Sequence, residues 1–253
     1  MRLDFRFFRN EKPAGEPERL VIAGDRENYQ IEIRRHSAAR RYTLRVREKS
    51  RDIVLTMPTR GSLRQAKSFA ERHVAWIMAR LKRLPEAIPF APDQKIPLRG
   101  IPHRIVHRAQ TRGTVWTEQI ADGTTLLCVA GKPAHISRRV RDFLRREAKR
   151  DLTIASRYYA EALGVSVHSV SVRDTASRWG SCSHGGSLSF SWRLILAPPL
   201  VLDYLAAHEI AHRVELNHSK RFWNVVDRIF PERRSAESWL RTNGSALHRY
   251  GAH

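Results

Sequence analysis

The segment from Pro199 to Phe222 places the tightest limit on how this chain can fold. It reads PLVLDYLAAHEIAHRVELNHSKRF. In its first half, apolar residues would occupy nearly every face of a helix, so a helix formed there must be buried. His208 and His212 are four residues apart, so they project from the same helical face, and Glu209 lies on the adjoining flank. Buried imidazoles and a buried carboxylate need polar partners or an ion, because an uncompensated buried charge is costly.

The spacing His-Glu-x-x-His predicts a metal site. His208 and His212 can share one ion, and Glu209 can reach a water on that ion without becoming a ligand. Zinc lowers the pKa of its bound water and polarises a carbonyl, so Glu209 would take the proton of the water and pass it to the leaving amine. The motif therefore indicates metal-assisted hydrolysis, with Glu209 as general base and acid.

A catalytic zinc usually takes three protein ligands, and four residues are candidates for the third. Glu215 lies on the same helix but one turn farther along, and Glu232 or Glu237 would have to reach in from a following helix. His218 follows Asn217, a residue that tolerates the left-handed conformation that ends a helix, so the chain could turn back there toward the metal. We favour His218 and keep the glutamates as alternatives.

The chain is strongly basic, with 46 Lys and Arg against 25 Asp and Glu and a net charge of +21. This balance predicts attraction to polyanions and makes nucleic acid a candidate partner. The basic residues are spread along the whole sequence, so arginine could equally serve as a general solubilising residue.

The composition also bears on the compartment. Two cysteines, Cys128 and Cys182, cannot form a disulfide framework and lack zinc-knuckle spacing. The first ten residues have no signal-peptide core, and the longest apolar run is broken by Pro198, Pro199 and Asp203. We expect a cytoplasmic protein without a membrane span.

The N-terminal part reads as strands followed by one helix. Residues 42–46 and 53–57 alternate apolar with polar or basic residues, which predicts a half-buried hairpin with a basic outer face. Ser62 and Gln65 have the spacing of a capping box at the start of a helix predicted over 62–84.

The remainder contains a second β region and then mostly helices, with no repeat evident in the sequence. Asp122-Gly123 between two alternating runs predicts a type I′ hairpin, and the apolar period over 137–163 predicts a long helix that ends at Gly164. Three more helices are expected to begin near Pro199, Ser219 and Ser235. We therefore divide the chain into a β-rich basic region, 1–135, and a catalytic domain, 136–253.

Two segments resemble a known family. Residues 173–223, RDTASRWGSCSHGGSLSFSWRLILAPPLVLDYLAAHEIAHRVELNHSKRFW, resemble the signature of the YgjP-type (DUF45) metal-dependent hydrolases, which are grouped with zinc metallopeptidases and are similar to the SprT and Wss1 proteases. The earlier segment RRHSAARRYTLRVREKSRDIVLTMPTRGSLRQAKSFAERHVAWI resembles that family's N-terminal region. The resemblance extends from about residue 31 to 245.

The resemblance implies an α+β fold with a zincin-like core, in which an active-site helix lies against a small antiparallel sheet. It implies Zn2+ held by His208, His212 and His218, with Glu209 as the catalytic residue. The segment GSLSFSWRLIL would be an edge strand beside the metal that binds the backbone of a peptide or protein substrate. The family pattern leads us to expect Asn before Trp192, where this chain has Ser191.

Three functions are compatible with these residues. The first is a zinc metallopeptidase, which the all-histidine ligand set favours. The second is a phosphohydrolase acting on nucleotides, for which the arginines would be clamps. The third, a nucleic-acid-associated protein with a structural metal, does not account for Glu209. Candidate donors to an oxyanion are Arg178, His248 and Tyr250.

Overall fold

The computed structural model describes residues 18–24, 28–47, 51–82, 86–111, 113–175 and 178–251. Over these residues the fold is mixed α+β, with six α-helices and three small sheets. The chain divides into two compact units, Met1–Leu84 and Pro85–His253. None of the described helices combines the length and the apolar character that crossing a membrane requires.

The first unit contains a four-stranded sheet and two short helices. Its strands are β1 (Arg19–Ala23), β2 (Asn28–His36), β3 (Thr43–Val46) and β4 (Ile53–Pro58), in the order β1-β2-β4-β3. The central pair β2 and β4 is parallel, and the outer pairs are antiparallel. The predicted hairpin is confirmed as β3 and β4, which place Ile53, Leu55 and Met57 in a core with Ala66 and Ile77 of the helices.

The helix predicted over 62–84 is broken into α1 (Leu63–Arg72) and α2 (Val74–Lys82). His73 leaves helical geometry at φ −109° and ψ 13°, and its Nδ1 lies 2.7 Å from the carbonyl oxygen of Phe69. This local side-chain bond competes with the helical ladder. The predicted capping box is also absent, because Gln65 accepts a hydrogen bond from the Tyr42 hydroxyl instead.

The second unit begins with a sheet that repeats the topology of the first. Strands β5 (Lys95–Leu98), β6 (Ile101–Arg108), β7 (Val115–Gln119) and β8 (Thr125–Ala130) have the order β5-β6-β8-β7, again with a parallel central pair. Ile33 pairs with Leu55 in the first sheet, and Ile105 pairs with Leu127 at the equivalent place in the second. A helix follows each sheet, so the same β-β-β-β-α arrangement occurs twice in the chain.

The hairpin of β7 and β8 confirms the prediction at Asp122-Gly123, but the turn is not type I′. Of the two residues only Gly123 has positive φ, at 83°, and its amide donates to the carbonyl of Ile120. The connection is therefore a type I turn followed by a left-handed glycine. Gly164 ends α3 (Ile136–Leu163) in the left-handed conformation, as predicted.

The boundary between the two units lies between residues 84 and 85 of the chain, whereas the sequence suggested a division at 135 and 136. The second sheet packs with the helices that follow it. Leu127 and Val129 of β8 share one core with Val140 and Leu144 of α3. Because this core is continuous, residues 95–130 belong with the helices that carry the histidines.

A third sheet consists of β9 (Ser169–Arg173), β10 (Gly180–Cys182) and β11 (Ser187–Ser191) in the order β10-β11-β9. The expectation that β11 is an edge strand is wrong, since it pairs antiparallel with β10 and parallel with β9. The edge strand on the side of the histidines is β10, and the sheet is mixed rather than antiparallel. The chain continues through a 3₁₀ turn into α4 (Pro199–Ala211), α5 (Lys220–Ile229) and α6 (Arg233–Asn243).

Arg193, in the 3₁₀ turn after β11, forms hydrogen bonds both to the residue that follows β9 and to the C-terminal segment. Its side chain is 8% exposed, and it donates to both carboxylate oxygens of Asp174 and to the carbonyls of Leu247 and Tyr250, the last at 2.6 Å. Its removal leaves these acceptors without their shared donor.

We expect Arg193→Ala to lower the free energy of unfolding by about 2–4 kcal/mol, because two backbone carbonyls in the interior lose their donor and the half-exposed Asp174 loses this partner. Urea unfolding followed by tryptophan fluorescence measures this change. Arg173→Ala, at an exposed arginine of the neighbouring strand β9, is the control and should have little effect. Equal stability of the two variants would contradict the role assigned to Arg193.

Candidate metal centre

Helix α4 lies in the interior of the second unit and contains His208 and Glu209. It begins with Pro199 at its first position, where a missing amide hydrogen costs nothing. Ten of its 13 residues are buried, and it packs against α3, α5, α6 and β10. A helix enclosed in this way gives the side chains of His208 and Glu209 fixed surroundings.

The helix ends earlier than the sequence suggested. Its last residue is Ala211 and His212 is the C-cap, whereas we expected the end near Asn217. The amide of Val214 bonds to the carbonyl of Ala211, so the backbone tightens into a turn directly after His212. Ser219 then caps α5 by accepting a hydrogen bond from the Phe222 amide, which leaves the short loop between them to carry the last histidine.

His208, His212 and His218 converge, as the sequence predicted. One ligand atom from each lies within 4.8 Å of the others, and Nε2 of His208 is 3.1 Å from Nε2 of His218. Two nitrogens that bind one tetrahedral zinc at its usual bond length lie about 3.3 Å apart. The separation therefore fits a shared ion, as well as a direct hydrogen bond between the rings.

Hydrogen bonds behind the rings orient two of the histidines. Nδ1 of His208 is 3.4 Å from the Tyr204 hydroxyl, and Nδ1 of His212 is 3.2 Å from the carbonyl oxygen of Glu215. Partners of this kind hold ligand imidazoles with the other nitrogen toward a metal. Burial lowers the pKa of all three histidines, to about 3 for His208, where the other two histidines add to the effect. The rings are thus neutral, which ligation requires.

Of the glutamates considered as third ligands, Glu237 has other side-chain partners. The Glu237 carboxylate accepts hydrogen bonds from the Tyr204 hydroxyl at 2.8 Å and from Arg233 at 3.0 Å. Glu215 meets His212 through its backbone carbonyl, and Glu232 occupies the N-cap of α6. Among the described residues, the histidines form the one cluster of three or more His, Cys, Asp or Glu that could hold a metal.

Glu209 lies beside this cluster and is 5% exposed. Burial raises the pKa of its carboxyl to about 8, and the positive charge of Arg178 acts in the opposite direction. A carboxyl with a pKa near neutrality can both accept and release a proton at physiological pH. The site thus combines three neutral imidazoles with one buried proton acceptor.

Gly180 of β10 is a site residue that the sequence did not reveal. A Cβ atom built on it would lie 2.8 Å from both Cγ and Cδ of Glu209, which is closer than carbon atoms approach without displacement. The absent side chain lets the strand backbone lie directly against the carboxyl group. The sequence offered only the string WGSC as a signal.

We expect Gly180→Ala to push the Glu209 carboxylate away from the histidines and to lower turnover about 100-fold, because small displacements of catalytic groups are costly. Metal affinity should change little, since the ligands are untouched. Gly185→Ala, at a turn glycine with open space around its Cα, is the control. A fully active Gly180→Ala variant would contradict the close packing described here.

The remaining residues singled out in the sequence have different surroundings. Of the oxyanion candidates, His248 is buried and stacks on Trp179 at 4.9 Å, whereas Arg178 is exposed and acts electrostatically on Glu209. Ser191 is fully buried and caps the 3₁₀ turn, so it does not face a substrate. Burial and the charge of Glu209 raise the pKa of the Cys182 thiol to about 11, so it is not a thiolate ligand.

Comparison with known families bears directly on this arrangement. The sequence matches the family described as YgjP-like, metallopeptidase domain, over residues 40–243. The chain belongs to the YgjP-like family. The suspected relationship is therefore confirmed, and with it the assignment of the chain to the metallopeptidases, a class of metal-dependent hydrolases.

A solved structure, the metallopeptidase zymogen of Pyrococcus abyssi abylysin, is 23% identical with a TM-score of 0.34, over 36% of this chain and 92% of that one. A comparison with curated proteins gave no significant match.

Proposed function

We propose that the protein is a zinc-dependent peptidase whose ion is held by His208, His212 and His218. The observation that carries the proposal is the convergence of three neutral imidazoles beside the buried Glu209. An all-nitrogen donor set suits zinc, whereas magnesium prefers oxygen. Zinc in such a site supplies a Lewis acid that polarises a carbonyl group and makes water more acidic.

Glu209 has the role of proton carrier in this proposal. Its carboxylate accepts a proton from the attacking water and later delivers it to the nitrogen of the leaving amine. The side chain is buried and flanked by the β10 backbone, so little bulk water competes for that proton. Arg178 is our candidate for stabilising the negative charge that develops on the substrate carbonyl oxygen.

The substrate backbone is proposed to bind along β10. Within the described part of the chain, β10 pairs with β11 on one side, and its other edge has no strand beside it. A peptide added there would form main-chain hydrogen bonds next to Glu209, whatever its side chains are. This mode favours extended or unfolded protein segments as substrates.

Three measurements test the proposal. Elemental analysis of the purified protein should give one zinc per chain. The zinc form should then cleave an unfolded protein into fragments whose new termini appear by mass spectrometry, and a chelator should abolish cleavage. Nucleoside triphosphates are incubated in parallel. Release of pyrophosphate without any peptide cleavage would replace the peptidase with the nucleotide phosphohydrolase.

We further propose that the first unit binds nucleic acid through the basic surface of its sheet and of the β2–β3 loop. Arginines are exposed on β2, on β3 and in that loop, namely Arg34, Arg40, Arg41 and Arg45. Such a surface contacts phosphates without reading sequence.

Both cysteines are free, which supports a reducing compartment such as the cytoplasm.

Affinity for a fluorescent DNA or RNA oligonucleotide should fall steeply with salt. Arg34→Glu with Arg45→Glu should weaken binding at least about 10-fold, because each lost phosphate contact also reduces counterion release. The same charge change at Arg138 and Arg145 of α3 is the control. Equal losses in the two double variants would attribute binding to net charge alone.

A further inference from the structure

A chain of polar contacts runs behind His208 and connects helices α4, α5 and α6. The Tyr204 hydroxyl lies 3.4 Å from Nδ1 of His208 and donates to Oε1 of Glu237 at 2.8 Å. Arg233 donates to the other carboxylate oxygen of Glu237 at 3.0 Å and to Asp227 at 2.6 Å. Tyr204, Glu237 and Arg233 thus each contact two partners in this series.

The direction of these bonds decides which nitrogen of His208 carries a proton. The hydroxyl of Tyr204 has one hydrogen, and the carboxylate of Glu237 can only accept it. The hydroxyl of Tyr204 therefore directs its hydrogen to Glu237. Its oxygen is therefore left to accept from Nδ1–H of His208, and the lone pair of Nε2 points to the side where His218 lies 3.1 Å away.

Arg233 also packs on Trp223, a residue that contacts two of the histidines. Its guanidinium carbon lies 4.6 Å from the centre of the Trp223 ring, and this ring packs 5.7 Å from His218 and 5.8 Å from His208. The arginine side chain is 14% exposed, and the negative charge of Asp227 and Glu237 raises its pKa, so it remains a cation. One partly buried arginine therefore stabilises the surroundings of two candidate ligands.

We propose that Tyr204, Glu237 and Arg233 are positioning residues that fix the tautomer of His208 and thereby set the affinity of the site for its metal. The inference rests on the proposed metal site and adds residues to it that do not touch the ion. Glu237, which the sequence offered as a possible third ligand, is in this inference a hydrogen-bond partner of Tyr204 and does not bind the ion. Tyr204 precedes His208 by one helical turn, so the contact follows from helix geometry.

Tyr204→Phe tests the inference because it removes only the hydroxyl. We expect zinc affinity, measured by competition with a chromophoric chelator, to fall about 10- to 100-fold, the usual effect of losing a partner behind a ligand histidine. Long-range ¹H–¹⁵N spectra of the metal-free protein should show His208 as the Nδ1–H tautomer in the natural chain and a mixture in the variant. Glu237→Gln and Arg233→Lys should give smaller losses in the same direction.

Tyr159→Phe is the matched control, since Tyr159 and Tyr204 are both buried and both pack on Phe230. It should leave affinity and tautomer unchanged. If Tyr204→Phe does not fold, Glu237→Gln carries the test. Unchanged zinc affinity with an unchanged tautomer in a folded variant would overturn the inference. Failure of the natural chain to bind any metal would instead overturn the proposed function, while the tautomer spectra still test the contacts.

Discussion

Replacing Glu209 with glutamine is expected to abolish peptide cleavage while leaving the metal bound. The amide keeps the size of the side chain but cannot accept the proton of the attacking water, so turnover should fall at least about 10³-fold. Metal content should stay at one ion per chain, because His208, His212 and His218 are intact. Cleavage rates with a labelled peptide, together with elemental analysis of the same sample, separate the two effects.

Glu161→Gln is the control for this substitution, since Glu161 is an exposed carboxylate near the end of α3. It should leave turnover unchanged. Substantial cleavage by a Glu209→Gln variant that holds its zinc would rule out Glu209 as the general base. Loss of both metal and cleavage would show that Glu209 supports the ligands rather than the proton transfer.

The same variant should also be more stable without metal. The pKa of Glu209 is raised from 4.5 to about 8 in the folded protein, so between these pH values the folded chain retains a proton that the unfolded chain has released. The free energy of unfolding of the metal-free natural protein therefore falls as the pH rises through this window.

Glutamine does not ionise, so the free energy of unfolding of the Glu209→Gln variant should not show this decrease with rising pH. Near pH 8 the metal-free Glu209→Gln protein should exceed the natural protein by on the order of 3–5 kcal/mol, and below about pH 4 the two should be alike. Urea unfolding at both pH values measures the difference. A constant gap at all pH values would show that burial of the charge is not its cause.

The convergence of the three histidines was accessible from sequence because it depends on local geometry. His208 and His212 share a face in any helix, and His218 follows within one short loop, so no distant contact had to be known. Individual hairpins and helices were accessible for the same reason, since they leave periodic patterns. The fold class itself was implied by the family resemblance. The end of α4 was placed too late, because the tight turn in which the Val214 amide bonds to the Ala211 carbonyl leaves no signal in the sequence.

Features that depend on contacts between distant segments could not be read in this way. The order β10-β11-β9 makes a short strand, not the longer β11, the edge beside the site. The closeness of Gly180 to Glu209 follows from that order and from no local pattern. The contact of Glu237 with Tyr204 likewise joins α6 to α4 across the loop and helix between them.

The repeated β-β-β-β-α arrangement was also hidden in the sequence. The two sheets preserve which strands pair and where apolar residues face the core, as Ile33 with Leu55 and Ile105 with Leu127 show. A core needs apolar residues of suitable volume rather than particular ones, so equivalent positions can differ in identity. The helices after the sheets also diverge, since the first breaks at His73 and the second runs unbroken to Leu163.

Replacing His218 with alanine is the second change with a large expected effect. His218 is the most exposed of the three histidines and lies in the loop after α4, so its removal should not disturb the core. Zinc affinity should fall at least about 100-fold, because two imidazoles cannot complete the three-ligand set of a catalytic zinc. His135→Ala, at an exposed histidine before α3, should bind zinc like the natural protein.

The outcome also decides between His218 and the glutamates. If the variant held zinc at full affinity, the third ligand would have to be Glu232 or Glu237, and the Glu237 carboxylate would have to leave Tyr204 and Arg233 to reach the ion. Breaking a partly buried pair of this kind costs a few kcal/mol, whereas His218 already lies 3.1 Å from His208. The geometry therefore favours His218, and a double variant with Glu237→Gln should bind zinc no better than His218→Ala alone.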